Sequence, residues 1–141
     1  MPYATLQDLT DRFGTEELTD LTDRTHSGVP NTTVVARALA DASAQIDGYL
    51  AGLCPLPLNP IPDMIVLCCC DLARYALWDI RANQVVKDRR DSALKYLAQV
   101  DGGTLGLGLA NGLPPAAGSP AVSVSSSSRV FSQTILSDYV G

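Results

Sequence analysis

The sequence predicts an all-α protein: a small bundle of about four to five helices with an extended C-terminal arm ending in a short β-strand. Three observations carry that expectation. Apolar residues recur at helical spacing through much of residues 1–101. Residues suited to helix caps and stops stand at the ends of those stretches. At Asp101 the composition changes abruptly, and no charged residue occurs from Gly102 to Ser128. The 141-residue chain therefore divides into a helical domain, 1–101, and an arm, 102–141.

The first 23 residues read as two short helices. Thr5 can cap the first, with Asp8 three residues on as a variant capping box. Leu6, Leu9 and Phe13 mark its apolar side, and Gly14 stops it. Thr15 can cap the second, whose Glu16 and Glu17 suit the positive end of a helix dipole and whose Leu18 and Leu21 point inward. Thr25 to Pro30 is a loop by composition. The next stripe is the cleanest: Val35, Ala38, Leu39, Ala42, Ile46, Tyr49, Leu50 and Leu53 share one helical face. Arg37, Asp41, Asp47 and Gly48 lie off it, Asn31 or Thr32 can cap it, and Gly52 and Pro55 end it.

Pro55, Pro57, Pro60 and Pro62 make an extended connector, since proline fixes φ and removes amide donors. Pro62 can sit in the first turn of the helix that follows, which runs to about Arg81. That helix is apolar on most sides, so it is either central or shared with another subunit. A last helix spans about Gln84 to Val100, with Val86, Ala93, Leu94 and Leu97 inward and Gly102 and Gly103 at its end. Beyond it, Leu105-Gly106-Leu107-Gly108-Leu109, Pro114-Pro115 and Ser125 to Ser128 cannot build a core of their own. Arg129 to Leu136 alternates enough to read as a strand, with Val130, Phe131, Ile135 and Leu136 as anchors toward a partner.

Composition excludes several functions. At 46% hydrophobic the chain can build a core. A net charge of −5 is wrong for a protein that coats nucleic acid through its phosphates, and 6% aromatics is thin for base stacking. No apolar run approaches the roughly 20 residues of a membrane span. The opening Met1-Pro2-Tyr3-Ala4-Thr5 is not a signal peptide, so the chain is expected in the cytosol with its four cysteines reduced.

Chemistry is sought and little is found. Cys68, Cys69 and Cys70 project about 100° apart on a helix, so they cannot converge on one metal, and Cys54 adds no suitable geometry. Buried packing is the expected role of the triplet. His26, the single histidine, sits in a polar loop with nothing marking it as catalytic. Asp63, Asp71 and Asp79 stand eight apart, and Asp71 is placed to pair with Arg74 one turn on. Gly106 and Gly108 form no phosphate fingerprint. Neither a cofactor nor a metal is expected.

Charge is uneven. Residues 1–23 carry six acids against Arg12, a net of −5, while residues 81–95 have a net of +3. Solvated faces explain this equally well as complementarity between copies, in which Glu16, Glu17 and Asp20 of one copy would meet Lys87, Arg89 and Arg90 of the next. The basic stretch is also the one feature favouring a small DNA-binding or packaging regulator. A small hydrolase would rest on His26 and the carboxylates alone.

Several stretches, in order, resemble a known family. They are Tyr3 to Leu9 with Arg12-Phe13-Gly14, then Leu18 to Arg24, Ala38 to Ala44, Ile46 to Leu50 and Pro55 to Leu58. Asp71 to Tyr75 and Arg129-Val130-Phe131 complete the series. Together they look like the Mu-like phage head–tail joining family, a neck adaptor or connector family of tailed phages and prophages. The cysteine triplet and the Ser-rich arm are local departures. The resemblance implies a structural virion protein, not an enzyme, assembled in the bacterial host cytoplasm and located in the neck between head and tail. It also implies a homo-oligomeric ring, a dodecamer, beneath the portal protein. Such a ring extends the DNA channel and meets the next neck or tail-terminator protein. DNA passes through without sequence-specific binding, and no membrane is involved.

Overall fold

A computed structural model describes residues 1–107, whose elements are five α-helices and one 3₁₀ turn. The all-α expectation holds for these residues. The expected strand and its anchors, Arg129, Val130, Phe131, Ile135 and Leu136, lie outside the described residues.

Helix α1 (Leu6–Phe13) starts at the expected capping box: the Thr5 hydroxyl accepts from the Asp8 amide, and the Asp8 carboxylate accepts from the Thr5 amide at 2.7 Å. Gly14, at φ 86°, then ends α1 and serves directly as the N-cap of α2 (Thr15–Thr22). Thr15, expected as that cap, is already the first helical residue. A positive φ reverses the chain within one position, so no intervening residue is needed. Leu18 is fully buried and Leu21 half-buried. Thr22 is buried too; its hydroxyl donates to the Leu18 carbonyl and accepts from the Asn31 amide at 2.9 Å, fastening the loop to α2.

Asn31 caps α3 (Thr32–Leu50), accepting from the Thr33 and Val34 amides. The predicted stripe is the buried face: Val35, Ala38, Leu39, Ala42, Ile46 and Leu50 are buried, with Tyr49 and Leu53 packed at its margin. Ser43 joins that face as a buried polar residue and accepts from the Tyr3 amide at 2.9 Å. The Tyr3 hydroxyl donates to Asp47. Two hydrogen bonds and the burial of Tyr3 and Ala4 thus strap the N-terminal segment to α3.

Helix α4 (Asp63–Trp78) begins after Pro62, which is the extended N-cap rather than a first-turn residue. It stops at Trp78, short of Arg81, because Asp79 takes a φ of 51° and a 3₁₀ turn follows over Asp79–Arg81. Helix α5 (Gln84–Asp101) is capped by the Asn83 side chain, which accepts from the Val86 amide. Helix α4 packs against α1, α2, α3 and α5, so within the chain it is the central helix. Ile65, Cys68, Cys69, Cys70, Leu72 and Ala73 are all buried along it. Three consecutive buried residues cover most of a helical circumference, which only an enclosed helix allows.

The boundary after Asp101 also has structure. The amides of Gly102, Gly103, Thr104 and Leu105 donate back to carbonyls of α5, and Leu107 is 3% exposed within the core. The opening residues of the stretch expected as an arm therefore stay on the bundle.

Candidate functional site

The densest polar constellation lies on the seam where α1 and α2 meet α4. Arg74 donates from Nε to Glu17 Oε1 at 2.6 Å and from Nη2 to Oε2 at 2.9 Å. Trp78 Nε1 donates to the same Oε1 at 2.9 Å. The guanidinium of Arg74 lies 4.3 Å from the centroid of the Phe13 ring, and that of Arg89 lies 5.8 Å from it. One ring and one carboxylate therefore tie α1, α2, α4 and α5 together. Burial alone would raise the Glu17 pKa, but the hydrogen bonds from Arg74 and Trp78 and the charge of Arg74 hold it below the usual value.

The expected Asp71–Arg74 pair does not form. Arg74 turns instead to α2, where both Glu17 oxygens accept from its guanidinium and the Phe13 ring lies beneath it. Asp71 instead faces Arg89, with Nη1 3.6 Å from Oδ1, beyond hydrogen-bond length. Asp71 is buried, and its Oδ1 has no hydrogen-bond partner. Burial pushes its pKa up, opposed by the charges of Arg89, Arg74 and Arg12.

The charges named from sequence are divided by the fold. Glu17 and Arg89 turn to the seam, and Arg90 bonds Asp91 while lying 4.6 Å over the Tyr75 ring. Glu16, Asp20 and Lys87 stay exposed and form no salt bridge among the described residues. His26 is exposed and lines an open depression of about 320 Å³ with Thr19, Asp20, Asp23 and Gly28. Asp23 organises that loop: contacts from Ser27 first, then from Gly28 at 2.7 Å and Thr25, hold its carboxyl well below the usual range. Phe13 and Trp78 have roles that spacing could not reveal, because Glu17 meets its partners across 57 and 61 positions of sequence.

The cysteines fill the core. Burial pushes the Cys68 thiol up to about 11 and the Cys70 thiol to about 12, so neither is a nucleophile at neutral pH. Cys69 lies 3.4 Å from the Ser43 hydroxyl. Among the described residues, no group of three or more His, Cys, Asp or Glu is placed to hold a metal ion. None of the described helices is long and apolar enough to cross a membrane.

Two further depressions adjoin at the other end of α4. One of about 480 Å³ is lined by Ile61, Pro62, Asp63, Met64, Tyr96, Gly106 and Leu107. The other, about 500 Å³, is mostly apolar and shares Ile61, with Met1, Tyr3 and the Pro57–Pro60 connector as its remaining wall.

The described residues thus form a helical bundle locked by an internal ion pair, with Glu16, Asp20 and Lys87 outside its salt bridges and one mostly apolar depression beside the proline connector. The comparisons give it a class: it is a protein of Mu-like phages and prophages. The chain belongs to the family described as Bacteriophage Mu, Gp36, which matches residues 3–125. It is 38% identical over 104 residues to gene product J of Escherichia phage Mu, covering 73% of this chain and 74% of that one. It is also 38% identical over 77 residues to the Mu-like prophage FluMu protein gp36 of Haemophilus influenzae, 55% of each chain. The family's description names no reaction.

Proposed function

We propose that this chain is a structural virion protein, the head–tail connector of a Mu-like phage. In this proposal copies form a dodecameric ring beneath the portal protein, extend the DNA channel and present a surface to the next neck or tail-terminator protein. The observation that carries it is membership of the Mu Gp36 family by a small helical bundle in which Glu16, Asp20 and Lys87 form no salt bridge among the described residues. Charges left over by the fold are available to neighbouring copies, and complementary patches fix orientation in a closed ring. Arg129, Val130, Phe131, Ile135 and Leu136 add a second means of attachment: an extended segment with apolar anchors can join a neighbouring subunit, the portal or the next neck protein. Phe131 is the main anchor, worth roughly 1.5–3 kcal/mol when buried, and a ring repeats that gain at every interface. The net charge of −5 suits a channel wall that lets a polyanion pass.

Mass spectrometry of purified particles tests the proposal. The chain should be present in a fixed ratio of about one ring per portal. Its absence from particles that are otherwise complete would overturn the proposal.

A further inference from the structure

We draw no further inference here: the strongest candidate, the mostly apolar depression of about 500 Å³ between Met1, Tyr3 and the Pro57–Pro60 connector, is an unpartnered apolar surface, and nothing among the described residues shows what covers it.

Discussion

Glu17 satisfies Arg74 and Trp78 with one carboxylate, and Arg74 has only 14% of its side chain exposed. Glu17→Ala would strand a mostly buried cation and an indole N–H together. The expected cost is roughly 2–3 kcal/mol, between that of a hydrogen bond to a charged group and that of breaking a buried pair. Urea unfolding at pH 7 measures it, and a loss below about 0.5 kcal/mol would mean that the seam behaves as a solvated surface pair. Because its folded pKa is depressed, Glu17 contributes stability at neutral pH that disappears as pH falls through its folded value, below 4.5. Asp71 has the opposite sign. Its folded pKa is raised above 3.8, so the native state binds the proton more readily than the unfolded chain does. Its ionisation lowers stability as pH rises from 3.8 through the folded value. Asp71→Asn should therefore match or exceed the parent at pH 7 and lose that advantage near pH 4. Denaturation at both pH values decides it; a clear loss at pH 7 would show that the approach of Arg89 outweighs burial.

At the scale of elements, local signals were the legible ones. The α3 stripe, the Thr5–Asp8 capping box and the Gly14 stop all depend on neighbours within a turn, and each is found where the spacing placed it. Errors arose where distant residues decided the outcome. Arg74 turned from Asp71 to a carboxylate 57 positions away, and helix α4 ended at Asp79, where a non-glycine residue takes a positive φ. The candidate site was half legible: Glu17 and Arg89 could be named as charges of consequence, but not as parts of a seam inside the chain. Gly-rich composition likewise concealed Leu107, because a single buried leucine leaves no periodicity. Two truncations separate that contact from the rest of the arm. Ending the chain after Leu107 should leave the melting temperature of the bundle unchanged. Ending it after Asp101 should cost roughly 2 kcal/mol, the value of one buried leucine. Equal stability of the two would show that Leu107 adds nothing to the core.

At the scale of the whole molecule, the acidic balance and the mixed charge of α5 bear on DNA. A connector through which DNA passes should not retain it, so the isolated protein should show no measurable affinity for duplex DNA at physiological salt. Binding that weakens steeply with added salt would favour a DNA-binding regulator built on Lys87, Arg89, Arg90 and Lys95. The central claim, a ring of these helical bundles joining head to tail, is tested most directly by imaging the neck of the purified virion at side-chain resolution. The account predicts a closed ring beneath the portal whose repeating unit is the α1–α5 bundle, with α4 enclosed at the centre of each copy and Glu16, Asp20 and Lys87 at contacts between copies. A neck whose density is fully explained by other proteins would contradict it.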